Sequence, residues 1–182
     1  MTTKSKAVTK KAAAGKRARK QDAIALLKAD HREVKDMHKQ YEKLVEEGGG
    51  ATERRDLARR ICSALTVHAQ IEEEIFYPAV EPILDDALLL REAEVEHDSA
   101  RQLIAKIEAG KPGDALFDAT VIVLCEYVEH HVKEEEREMF PEVRGSKKVD
   151  LLELGERMAA RKEALLQTPM KTAAKNGKES SK

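Results

Sequence analysis

The sequence predicts an all-α protein, an up-down-up-down four-helix bundle with an additional C-terminal helix and disordered basic tails. Three observations carry that prediction. Ala, Leu, Glu, Lys and Arg dominate the 182 residues, 37% are charged, aromatics are 3%, and β-branched runs are scarce. Apolar residues recur at spacings of three and four along four stretches of about 25 residues, each roughly 38 Å long at 1.5 Å per residue. Glycine and proline clusters separate those stretches: Gly48-Gly49-Gly50, Pro78 with Pro82, Gly110 to Gly113, and Pro141.

Taken in order, residues 1–20 hold eight Lys or Arg and no acid, with almost nothing to bury. They read as a disordered tail. Its charge suits non-specific contact with nucleic acid or an anionic surface, or simple solubilisation, and no interleaved aromatic supports base stacking. The bundle occupies 21–142. Its first helix runs from about Asp22, an N-cap or first-turn acid, to Glu47, with Ile24, Leu27, His31, Val34, His38, Tyr41 and Val45 on one stripe. The second runs from about Thr52, its expected N-cap, to Tyr77. It turns Leu57, Ile61, Leu65, His68, Ile71, Glu72, Ile75 and Phe76 inward, leaves Glu73 and Glu74 to solvent, and is broken by Pro78. The third spans about Asp86 to Ala109, with Leu90, Ala93, His97, Arg101, Ile104 and Ile107 inward. The fourth spans about Asp114 to Met139, with Leu116, Val123, Leu124, Val128, His131 and Glu135 inward, and ends at Pro141. Residues 142–149 read as a polar loop within a C-terminal segment, 143–167. Asp150 then caps a fifth amphipathic helix to about Gln167, which either lies across the bundle or joins two subunits. Residues 168–182 form a second disordered, basic tail.

The acidic body between basic tails is one molecule with two surfaces. No apolar run approaches the ~18 residues of a membrane span, and the N-terminus lacks a signal peptide's apolar region. The expected location is the cytoplasm, where Cys62 and Cys125 read as free buried thiols.

The anomaly is a pair of acids on inward stripes. His68-Ala69-Gln70-Ile71-Glu72 and His131-Val132-Lys133-Glu134-Glu135 each place an imidazole and a carboxylate one turn apart on the same helix face. Extended, they align as HAQIEEEIFYP and HVKEEEREMFP, with a Cys six residues before each His. His31 precedes His68 by 37 residues and His97 precedes His131 by 34, so the second hairpin repeats the first. Antiparallel packing brings four His and two Glu to one level. A carboxylate in a helical core costs several kcal/mol unless a cation or donors meet it. Four imidazoles and two carboxylates suit two metals with shared carboxylates and open positions, which points to non-haem iron, with manganese next; zinc prefers four tight ligands. The even split assigns His31 and His68 to one ion and His97 and His131 to the other, with Glu72 and Glu135 bridging. His130 and Glu134 form a rival pair that the alignment disfavours. His38 lies ~10.5 Å from His31 along the axis, too far for the same ion. Tyr127 and Tyr41 are candidates for the site's edge or for packing.

These residues resemble the hemerythrin-like, HHE cation-binding family over about 22–142. The matching motifs are Asp30-His31, His68-x3-Glu72 with EEIFYP, Glu96-His97-Asp98, and His131-x3-Glu135 with EREMFP. The resemblance implies a four-helix bundle with two oxo- or carboxylate-bridged iron ions. It also implies that dioxygen or hydrogen peroxide is the small ligand, with roles in peroxide or oxygen handling, or in iron or oxygen sensing without turnover. Oxygen-carrying members have a second His one turn after the helix-three His. Here that position is Arg101, as in a subgroup with His-x3-Arg. Arg101 is expected behind the ligands, neutralising a bridging carboxylate, hydrogen-bonding a bound peroxide, or paired with a nearby Glu. A catalase-like activity is one expected outcome.

Overall fold

A computed structural model describes residues 21–167, so the tails at 1–20 and 168–182 lie outside the described residues. Seven α-helical segments build five rods: α1 (Ala23–Glu46), α2 (Ala51–Ile71) running on into α3 (Tyr77–Val80), α4 (Leu88–Ala109), α5 (Ala115–Glu134) running on into α6 (Phe140–Ser146), and α7 (Leu151–Gln167). α1 packs between α2 and α5, and α4 packs between α5 and α2, which closes a four-helix ring. α7 lies across this ring against α1, α2 and the turn that follows α2, the first of the two placements open from sequence.

Local signals explain most boundaries. Asp22 Oδ1 accepts from the backbone N–H of Ala25 at 2.8 Å, and Asp150 Oδ1 accepts from Leu152 and Glu153 N–H at 3.0 Å each. The expected Thr52 cap is corrected. α2 starts one residue after Gly50, whose N–H donates to the Glu53 carboxylate at 3.0 Å. The expected breaks at Pro78 and Pro141 are also corrected. Each proline sits in a helix that continues past it, because a π turn precedes it, at Glu72–Phe76 and Glu135–Met139. The wider turn bonds Tyr77 N–H back to Glu72 and Phe140 N–H back to Glu135, so the proline, which has no N–H to give, follows a loosened ladder. The segment read as a loop from 142 is therefore helical to Ser146, with Val143 buried.

Two apolar clusters fill the interior. One contains Ile24, Leu27, Ile71, Phe76, Val80, Met139, Phe140 and the α7 residues Leu154 and Met158. The other contains Val34, Met37, Tyr41, Ile61, Leu65, Ile104, Phe117, Val121 and Leu124. On α5 the inward stripe is rotated from the expected one: Leu116 and Val123 are exposed, while Phe117, Asp118 and Val121 are buried. The helix is apolar on most sides, so spacing alone does not choose its face. The choice is fixed by Asp118, which accepts from Tyr41 Oη at 2.8 Å and Arg54 Nη1 at 2.5 Å. Tyr41 is thus held far from the site's edge by a buried ion pair.

Candidate metal centre

Between the two apolar clusters the stripes change character. His31 follows Leu27 and precedes Val34, and His68 stands between Leu65 and Ile71. His97 stands between Ala93 and Ile104, and His131 comes two turns after Leu124. All four are buried, as are Glu72 and Glu135, which are 0% and 1% exposed. The π turns begin at these two glutamates, so the irregular backbone coincides with the inward carboxylates.

The donor atoms converge. Nε2 of His31 lies 3.2 Å from Nε2 of His68, and Nε2 of His97 lies 3.3 Å from Nε2 of His131. Glu72 Oε2 stands 3.2 Å from His68 Nε2 and 3.5 Å from His97 Nε2, spanning the two pairs. Glu135 Oε2 does the same on the other side, 3.3 Å from His31 Nε2 and 3.7 Å from His131 Nε2. Two buried groups of donors result: His31, His68, Glu72 and Glu135, and Glu72, His97 and His131. Donors held about 2.1 Å from one ion are about 3 Å apart, so the spacing fits cations between the rings. Both oxygens of Glu72 and Oε2 of Glu135 are buried with no hydrogen-bond partner among the described residues. A cation bound there would supply the partner they lack.

Without a cation the charges settle uneasily. Burial drives the Glu72 pKa well above the usual carboxylate range, and the neighbouring Glu135 charge adds to it. Burial also raises Glu135, but the imidazoles of His131 and His31 outweigh it and hold that carboxyl low. Burial opposes protonation of His31 and His131, yet the glutamates beside them leave both pKa values raised. His68, fully enclosed, is pushed down to about 4 by burial.

A second ring of carboxylates stands behind the imidazoles. His31 Nδ1 meets Glu136 at 2.9 Å, His97 Nδ1 meets Glu73 at 2.8 Å, and His131 Nδ1 meets Glu96 at 2.8 Å. This corrects the reading of Glu73 as an ordinary solvent residue. The repeat carries the signal, since Glu73 and Glu136 align immediately after the inward glutamates. Arg101 is half exposed and donates to Glu73 and Asp98, at 2.8 and 2.7 Å, rather than to Glu72 or Glu135. It touches His97 only through Glu73. Tyr77, not Tyr127 or Tyr41, is the tyrosine at the centre: its hydroxyl donates to Glu135 Oε1 at 3.1 Å and its ring stacks on His97 at 5.7 Å. Burial and the glutamate charges raise its pKa well above 10, which keeps the proton on the hydroxyl. His130 faces solvent and forms a separate, outer donor group with Glu134 and Glu96, joining neither of the two buried ones. His38 stands apart as well, with Nε2 3.6 Å from Glu42 Oε1.

Two cavities reach the rings. One of about 450 Å³ is lined by His31, His68, His38 and Cys125, and one of about 310 Å³ by His68, His97, His131 and Arg101. Both thiols are free and buried, and burial pushes each up to about 12.

The model of the hemerythrin HHE cation binding domain matches residues 22–143. This chain belongs to the hemerythrin HHE cation-binding family. Its fold is similar to the crystal structure of a hemerythrin HHE cation binding domain-containing protein from Mycobacterium kansasii, the Rv2633c homolog, with a TM-score of 0.66 and 26% identity over 80% of this chain and 87% of that one. No curated protein matches the sequence. Family membership makes this a cation-binding hemerythrin-like domain, in which a metal site takes small ligands. No described helix is long and apolar enough to cross a membrane.

Proposed function

We propose that this hemerythrin-like protein holds two iron ions and handles dioxygen or hydrogen peroxide at them, as part of oxidative-stress defence. His31 and His68 would hold one ion, His97 and His131 the other, and Glu72 and Glu135 would bridge. The observation that carries the reading is the pair of buried glutamates, each within reach of one His from each pair, with three of their four oxygens unmet by any donor among the described residues. Mixed imidazole and carboxylate donors, too few to close two octahedral shells, favour iron over zinc.

The bound metals supply Lewis acidity and exchangeable electrons toward a small oxygen ligand. The rest is done by the chain. Glu136, Glu73 and Glu96 fix three imidazoles so that Nδ1 keeps the proton and Nε2 faces the centre. Tyr77 keeps a proton on its hydroxyl at Glu135 Oε1. Phe140 stacks on His31 and Tyr77 on His97, which seals the inner end against water. The two cavities admit a diatomic or peroxide from the other end. Buried free thiols fit the reducing interior of a cell.

Metal analysis of purified protein, followed by peroxide addition, tests the reading. Two irons per chain with steady oxygen evolution support it. Stoichiometric bleaching without turnover points to binding or sensing instead, and a colourless zinc protein overturns it. Iron content in His68→Ala and Glu135→Ala is expected to fall below half of the parent's; unchanged content in both would remove these residues from the ligand set.

A further inference from the structure

The four imidazoles are backed unequally. Lys28 stands 3.3 Å from Glu136, which meets His31. Arg101 donates to Glu73, which meets His97. The exposed ring of His130 lies 4.0 Å from Glu96, which meets His131. The first two are lines of imidazole, carboxylate and cation, the third ends in a second imidazole, and all three lie wholly inside the matched segment 22–143. His68 is the fourth. Its Nδ1 faces Asp30 Oδ2 at 3.6 Å, and the other Asp30 oxygen takes a hydrogen bond of 2.5 Å from Lys162 Nζ. Lys162 belongs to α7, beyond the matched segment.

We infer that Lys162 is a positioning residue of the metal centre: through Asp30 it orients His68, so that α7 completes the site. The inference rests on the two-ion reading above. An imidazole that gives Nε2 to a cation must carry its proton on Nδ1, and that proton needs an acceptor. For His68 the acceptor at hand is Asp30. Both Asp30 Oδ2 and His68 Nδ1 are buried and lack a hydrogen-bond partner among the described residues, so a donor and an acceptor face each other across a short gap. Asp30 is 8% exposed, and a carboxylate so enclosed stays in place only if a cation meets it. The ion pairs among the described residues give it Lys162 besides His68. Remove the ammonium and nothing holds Asp30 toward His68 rather than toward water.

Arg161, the preceding residue, supplies the control. It binds Glu74 with two hydrogen bonds, of 2.6 and 2.9 Å, and so ties α7 to the bundle without touching any imidazole or its carboxylate. Cobalt(II), titrated into metal-free full-length protein and followed by its visible bands, is the probe. The parent is expected to take two ions. Lys162→Met is expected to bind the ion at His31 and His68 about 10-fold more weakly, the low end for loss of a group behind a metal-binding His. Lys162→Arg should restore binding to within about 3-fold, and Arg161→Met should titrate like the parent. In the zinc-loaded protein, the low-field imidazole N–H resonances should fall from four in the parent to three in Lys162→Met, whatever the metal stoichiometry.

Lys162→Met with parent affinity and all four resonances overturns the inference. So does an equal loss in Arg161→Met, which would reduce α7 to a docking element. A parent that takes fewer than two cobalt ions overturns the two-ion reading instead, and the resonance count still decides the role of Lys162. Asp30→Ala guards against misfolding of a single variant. It should reproduce the Lys162→Met loss, and the double variant should be no worse than either.

Discussion

Tyr77 and Phe140 occupy the same position of the two repeats, nine residues after His68 and His131, and they differ by one hydroxyl. Both stack on an imidazole of the opposite hairpin, Tyr77 on His97 and Phe140 on His31. Only Tyr77 donates to a glutamate, which leaves Glu135 with one satisfied oxygen and Glu72 with none. The pseudo-symmetric centre is therefore polarised by a single side chain. Tyr77→Phe is expected to lower the stability of the metal-free protein by about 1.5–3 kcal/mol, the range of a hydrogen bond to a charged acceptor. It should leave metal stoichiometry unchanged. Thermal unfolding of the metal-free variant checks this, and an unchanged midpoint would show that Glu135 finds another donor. The aligned repeats put Tyr77 beside the proline in plain view. Helical periodicity without the π turn rotates it away from the core, so spacing alone favours Tyr127.

At the scale of elements, what the sequence conveyed well was whatever depended on i, i+4 spacing within one regular helix. His31, His68, Glu72, His97, His131 and Glu135 all lie on stripes that a straight helix predicts, and all six are buried. What it conveyed poorly came after an irregularity or depended on a partner helix. Pro78 and Pro141 read as breaks because the π turns before them leave no mark in an apolar pattern. Glu73 read as solvent-facing because its imidazole partner comes from α4, 24 residues away in sequence. The seat of α7 was equally hidden. It depends on Gly155, where an added Cβ would strike the backbone of Gln21, Asp22 and Ala23 at the start of α1. Backbone cannot step aside as a side-chain end can, so Gly155→Val should lift α7 and cost about 1–3 kcal/mol. A lowered unfolding midpoint with unchanged helical content checks that expectation. A midpoint equal to the parent's would mean that α7 docks without this close approach.

For the whole molecule, the centre is a polar layer through the middle of the bundle, and metal binding there would be coupled to folding. The metal-free fold keeps protons that a cation must displace. The Glu72 pKa is raised, so its contribution to stability is fully present below its unfolded value and is lost as pH rises through the folded one. The same sign holds for His31 and His131, whose folded pKa values are also raised. Bound cations require the opposite state, with Glu72 ionised and both rings neutral at Nε2. Metal uptake at neutral pH should therefore release protons, and the stabilisation it confers should grow from about pH 5.5 to 7.5. At a free metal concentration a hundredfold above the dissociation constant, that stabilisation is about 2.7 kcal/mol. His68 works against the trend only weakly, because its pKa of about 4 leaves it neutral across this window. Calorimetric titration with zinc in buffers of different ionisation enthalpy counts the protons directly, and unfolding midpoints with and without zinc at the two pH values give the trend. Heats independent of the buffer, or a metal-induced shift that shrinks as pH rises, would mean that the buried glutamate is already ionised before any cation arrives.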